Sequence, residues 1–447
     1  MIRLARPRGA LGAAAALLAL TTAAAAQETL AIRGGTVHPV SGPPYVGTVV
    51  IQDGKIAAAG PQVPVPAGAR VIDATGLHVY PGLFDAVTQL GLTEIDAVDV
   101  TNDIDELGEF TPHLQARTAV HPASEHIPVT RANGITHTMA VPMRAGGGGR
   151  FGGAASGGFP GQGSVFHLAG WTIEEMEIVP GAVLAMTWPA LRTREIDRTT
   201  GTPRDRPYRE AKEEYDRAVQ RLHEWLEAAR AYDRARAAGA RTDRDLRLEA
   251  LARATRGELP VLARVDDERA IRDVVAFAEK EGLKLIIGGG AEAYRVANLL
   301  AEKKIPVILG PTQAMPAGPD RPYDERYANP GKLHAAGVKI AFATFNSADS
   351  RTLPYEAAMA IPYGLPREAA LRAITINPAE ILGLADRLGT IEPGKIANLI
   401  VTDGDPLEIT THVRHLIIAG KETSTANKHD QLYEKYRARP TTRTTSR

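Results

Sequence analysis

Cysteine is absent from all 447 residues. This excludes disulfides, thiolate-held zinc, iron–sulfur clusters and thiol nucleophiles. Net charge is absent as well. The chain has 52 Lys and Arg against 52 Asp and Glu, which leaves no electrostatic footprint for nucleic acid. Beyond the first residues no stretch is apolar enough to span a bilayer. There is no H-E-x-x-H pair and no G-x-S-x-G nucleophile elbow; Gly161-Gln-Gly-Ser164 is only a faint echo of the latter.

What is present starts with a leader. Arg3, Arg6 and Arg8 precede an apolar run from Ala10 to Leu20, and Ala24-Ala25-Ala26 provides small residues before Gln27. This is the pattern of a secretory signal peptide over residues 1–26, cut after Ala26. The mature chain is therefore expected in a bacterial periplasm or outside the cell, with no membrane span after cleavage.

Residues 27–80 read as short strands with tight turns, including the hairpin signal Asp53-Gly54 between Thr48-Val-Val-Ile-Gln and Lys55-Ile-Ala-Ala-Ala. From Tyr80 onward strands alternate with helical patterns. Strand candidates are Ile135–Val141, Pro260–Val265, Leu283–Gly288, Ile305–Gly310 and Val338–Thr344, with helices over Arg269–Glu281, Glu292–Lys303 and Pro366–Ile374. So many alternating units favour a (β/α) barrel over residues 81–388. Two segments interrupt it: a glycine-rich stretch at 145–163, read as a loop, and a charged helical insertion at 190–256, with Leu222, Trp225, Leu226 and Ala229 at helical spacing. Residues 389–421 return to strands and turns, able to rejoin the N-terminal ones. Residues 422–447 form a polar tail expected to lack structure.

Val79-Tyr-Pro-Gly-Leu-Phe-Asp85, Leu353-Pro-Tyr-Glu-Ala-Ala-Met359, Ile374-Thr-Ile-Asn-Pro-Ala-Glu-Ile-Leu-Gly383 and Gly389-Thr-Ile-Glu-Pro-Gly-Lys395 occur in this order. Together they resemble the amidohydrolase superfamily, specifically its imidazolonepropionase-like branch, over about residues 30–421. The resemblance implies an α/β fold: a (β/α)8 TIM-like barrel with a composite β-sandwich domain formed from both chain ends. It also implies hydrolysis of carbon–nitrogen bonds other than ordinary peptide bonds, by water activated on zinc or another divalent metal in the barrel mouth.

The ligand positions that this resemblance points to hold unsuitable residues. The two histidines after the first barrel strand are replaced by Val87 and Gln89, the histidine of a P-V-x-x-H-A pattern by Arg264 in Pro260-Val-Leu-Ala-Arg-Val265, and that of the His-Gly pair ending the following strand by Gly289. The last aspartate falls at Phe345, with Asp349 four residues on. No metal ligand and no cofactor-binding residue is therefore assigned. His121, His126 and His137 are the alternative place to look for a relocated metal. The barrel-mouth candidates for chemistry are Asp85, Gln89, Arg264 and Asp349. For Arg264 the readings are replacement of the metal's positive charge, by binding an anion or pairing with Asp349, or an internal salt bridge or hydrogen bond that fills vacated space. Two readings stay open: a hydrolase with its usual metal site dismantled, or an inactive descendant that binds a small molecule or partner protein at the mouth.

Overall fold

The computed structural model describes residues 29–104, 106, 108–143, 157–196, 200–316 and 321–439. The expected signal peptide and most of the glycine-rich stretch lie outside them. Five strands open the described chain: β1 (Leu30–Val37), β2 (Tyr45–Gln52), β3 (Lys55–Gly60), β4 (Arg70–Asp73) and β5 (His78–Pro81). Then come the eight strands of the barrel: β6 (Leu83–Thr88), β7 (Ile135–Ala140), β8 (Gly158–His167) and β9 (Glu177–Thr187) and, beyond a small ribbon of β10 (Arg194–Ile196) and β11 (Pro203–Asp205), β12 (Val261–Val265), β13 (Leu285–Gly289), β14 (Val307–Leu309) and β15 (Ile340–Phe342). The last three, β16 (Leu399–Thr402), β17 (Val413–Ile418) and β18 (Lys421–Thr423), close the chain's sheet structure.

Both chain ends share one sheet, ordered β18-β17-β16-β5-β1-β2-β3, with β4 also on β1. The join is the antiparallel pair β16–β5, where Leu399 faces Pro81 and Thr402 faces His78. Leu30, Ile32, Val49, Ile51, Ile72 and Val79 from the first part and Leu399, Val401 and Ile417 from the second make one apolar core. The sequence thus folds as an α/β chain: a barrel with a composite β domain from its two ends.

The barrel sheet runs β15-β14-β13-β12-β9-β8-β7-β6. It departs from an all-parallel ring at one strand, since β8 is antiparallel to both β7 and β9. The other seven strands point the same way, so their C-terminal ends share one mouth. No strand ladder joins β6 to β15. Backbone bonds from Phe84 to Ile374 O (2.8 Å) and from Phe345 to Val87 O (2.9 Å) close the gap instead.

Two expectations are corrected. Strand β8 takes residues 158–163 from the stretch read as loop. The glycine there serves close approach, because a Cβ on Gly158 would collide with the Glu109 carbonyl. The tail also has structure: Lys428–Arg437 is a helix whose cap, Asn427, accepts from the amides of His429 and Asp430. The charged insertion is helical, as Tyr208–Ala237 and Leu246–Thr255. It docks through Tyr215, whose hydroxyl donates to Asp273 at 2.7 Å.

Candidate functional site

Side chains alternate across a strand, and Leu262, Ile286, Ile308, Ala341 and Ala343 fill the barrel interior. Arg264 lies two residues beyond Leu262 and so continues this inward row at the mouth end of β12. Phe345 belongs to the same interior cluster and follows β15. The two meet: the Arg264 guanidinium carbon lies 4.1 Å from the Phe345 ring centroid. Phe345 is held there with φ of 54°, a left-handed backbone that is an outlier for a bulky aromatic residue.

The arginine's side chain is only 17% exposed, and its one carboxylate neighbour is Asp266, at 4.0 Å from Nε. That is beyond hydrogen-bond reach, and Nε is buried without any partner among the described residues. Burial pushes the guanidinium below its usual pKa; Asp266 opposes this and the like charge of Arg326 adds to it.

The other predicted residues do not converge on Arg264. Asp85 is fully buried. Its carboxylate accepts from the Thr344 amide at 3.1 Å and from the Thr344 hydroxyl at 2.5 Å, which stitches β6 to the chain leaving β15. Burial raises its pKa to about 7, against the hydrogen bonds from Thr344 and Val87 that favour the ionised form. Gln89 is buried and donates to Met143 O at 2.7 Å. Asp349 is exposed in the turn whose amides bond to the Asn346 side chain. The ion partner of Arg264 is thus Asp266 and not Asp349.

At the sixth-strand position Gly289 adopts φ of 92°, and an added Cβ would lie 2.6 Å from Asp266 Oδ1 and 3.2 Å from Arg264 Nε. A histidine side chain there would have to displace the Asp266 carboxylate. Behind it, Glu292 is buried, pairs with Arg321 and accepts from the Glu268 amide at 2.9 Å.

The alternative histidines do not gather either. His126 contacts the Glu94 carbonyl at 2.9 Å. His137 is fully buried where the barrel meets the β domain, within 3.3 Å of the Asn398 amide and 2.7 Å of the Thr136 hydroxyl. His167, directly across from it on β8, is also 3.3 Å from Asn398. Burial lowers His137 well below the usual range, and burial with the charge of Arg387 lowers His167 to about 4.

Among the described residues one group brings three metal-type donors within 4.8 Å of one another: His223, Glu227 and Glu281. It lies outside the barrel, where the helix Tyr208–Ala237 meets the end of the helix Glu268–Glu281. Arg230 already bridges it, at 2.5 Å from Glu227 and 2.8 Å from Glu281. The sequence carried half of this signal in the i, i+4 spacing of His223 and Glu227; Glu281 is brought in only by helix packing.

Residues 221–426 match the amidohydrolase family. Among curated proteins, the amidohydrolase tasK of Hapsidospora irregularis is 26% identical over 391 residues, covering 82% of this chain and 38% of its own length. An imidazolonepropionase of Sphingopyxis alaskensis is 40% identical over 82 residues, covering 17% of this chain and 20% of its own length. The chain thus spans well under half the length of these curated relatives. Among solved structures, an amidohydrolase from Thermotoga maritima superposes with a TM-score of 0.74 at 28% identity, covering 88% of this chain and 99% of that one.

Proposed function

The chain belongs to the amidohydrolase superfamily, and from that premise we propose that its barrel mouth binds a small molecule without a divalent metal. The observation that carries this reading is the Arg264 guanidinium lying against Phe345 at the mouth. A divalent cation needs lone-pair donors such as imidazole or carboxylate. The five positions that the resemblance assigns to it offer a valine, an amide, a cation, a glycine and a phenyl ring. These residues do not fit a metal, and the guanidinium repels one.

Hydrolysis of a carbon–nitrogen bond is the second reading, favoured by the family and by Asp85. A carboxyl with a pKa of about 7 has the proton affinity of a general base. Its oxygens face Thr344, however, and no solvent reaches the residue. The leader-like sequence of residues 1–26 supports a periplasmic or secreted mature chain beginning at Gln27.

Elemental mass spectrometry tests the reading on the mature chain, recovered from the periplasm of a bacterial host and dialysed. The expected result is a folded protein with far less than one equivalent of zinc, iron or manganese and a melting temperature unmoved by EDTA. A full equivalent at the mouth overturns the proposal. A metal that is lost on Glu227→Ala belongs to the outer cluster and leaves the mouth reading intact.

A further inference from the structure

We propose that the barrel mouth receives a small organic carboxylate, held by the edge of the Arg264 guanidinium beside the Phe345 ring. The proposal rests on the reading of the mouth as a binding site and adds to it the chemical class of the ligand.

Four observations point to it. The first is a cation with an ion partner but no hydrogen bond. Arg264 makes no hydrogen bond to any described residue, its Nε is buried without a partner, and Asp266 stays 4.0 Å away. A largely buried guanidinium with free donors is costly unless an acceptor arrives. The second is geometry. With the Phe345 ring centroid 4.1 Å from the guanidinium carbon, the N–H groups pointing away from the ring remain. These match a planar anion that offers two oxygens.

The third observation is local charge. Arg326 is close enough to disfavour the charged form of Arg264. It bonds through Nε to the Met315 carbonyl at 2.8 Å and has no carboxylate partner among the described residues. The guanidinium thus has a second cation as well as one carboxylate acting on it, which suits an anionic ligand. The fourth is the surroundings. The loops after β6 and β14 leave at the same end of the barrel as Arg264, and they expose Val100, Met315 and Tyr323. Exposed apolar side chains on loops around a mouth suit the organic part of a ligand. The left-handed backbone of Phe345 fits a ligand clamp, where such strain concentrates.

Benzoate and its neutral isostere benzamide are suitable probes, titrated calorimetrically into the full mature chain in a low-anion buffer, with inorganic phosphate as a third titrant. The expected result is one-to-one binding of benzoate at least tenfold tighter than that of benzamide or phosphate. Arg264→Met should abolish that preference. Arg264→Lys, which retains the charge and loses the planar edge, should weaken benzoate binding about tenfold should the methionine variant fail to fold. Equal binding of benzoate and benzamide overturns the carboxylate assignment, as does phosphate binding as tight as benzoate. Absence of benzoate binding overturns it as well, and so does a folded Arg264→Met chain that keeps full benzoate affinity. None of these outcomes puts a metal in the mouth, so failure here is separable from failure of the metal-free reading.

Discussion

Asp85 is a buried acid whose environment divides against itself. Three hydrogen bonds, two from Thr344 and one from Val87, favour the ionised form, yet desolvation wins and lifts the pKa from 3.8 to about 7. The sign of the consequence follows. Between about pH 4 and pH 7 the folded chain holds a proton that the unfolded chain has released. This residue's contribution to stability therefore falls as pH rises, with a slope approaching about 1.4 kcal/mol per pH unit. Asp85→Asn removes the titration, and the Thr344 hydroxyl can rotate to accept from the new amide. Urea unfolding over this pH range should show the variant gaining on the wild type as pH rises. Parallel curves for the two would mean that Asp85 is ionised throughout. At the same scale, Phe345 and Gly289 both lie against Arg264, the ring centroid 4.1 Å from its guanidinium carbon and a Cβ on Gly289 3.2 Å from its Nε. A histidine at Gly289 would meet both a left-handed backbone and the Asp266 carboxylate.

Strands β7, β8 and β16 meet at a polar seam between the barrel and the β domain. Asn398 precedes β16, and its carbonyl accepts from the Gly82 amide at 2.8 Å. Its side-chain oxygen accepts from the Ala419 amide at 2.8 Å, and its amide group approaches both His137 and His167. Both imidazoles are buried in the neutral form, so here the pH argument runs the other way. Between about pH 4 and 6.5 the unfolded chain binds a proton at His167 that the folded chain refuses, and stability is lost as pH falls. His167→Gln should flatten the acid side of the stability curve by about 1.4 kcal/mol per pH unit, measured by the same urea series. No change in that slope would show that His167 protonates within the folded chain. The seam was illegible in the sequence because it joins residues 137, 167 and 398, which only strand pairing and domain docking bring together.

The whole molecule is closed by its own ends. The β domain needs β16, β17 and β18 to complete a sheet begun by β1 to β5, and Leu399, Val401 and Ile417 are fully buried in a core shared with Leu30, Ile32 and Val79. A chain ending at residue 388 leaves the β5 edge and that core open to water. It should be insoluble, or should lack the cooperative thermal transition of the full chain; a soluble truncation that melts like the full chain would show that the first part folds by itself. The reversal of β8 belongs to the same scale. It lets the barrel sheet keep eight strands while β8 runs back through the space between β7 and β9.

Local pattern alone determined a good deal of this protein. Asp53-Gly54 specified a hairpin, and alternating strand and helix periodicity specified the barrel. Leu262 and Arg264, two residues apart, shared one face of a strand, so an arginine had to look into the barrel wherever leucine was core. The ordered motifs from Val79 to Lys395 pointed to the superfamily, and at the positions where that resemblance expects histidine the sequence has Val87, Gln89, Arg264 and Gly289. Tertiary structure alone decided which groups surround these residues. Phe345 reaches Arg264 from a strand end about 80 residues away, Asp266 displaces Asp349 as the nearest carboxylate, and Asp85 is held by Thr344. The physical reason is common to all three. Partner choice for a buried charge is set by which backbones the closed barrel brings within a few ångströms, and no periodicity along the chain encodes that distance.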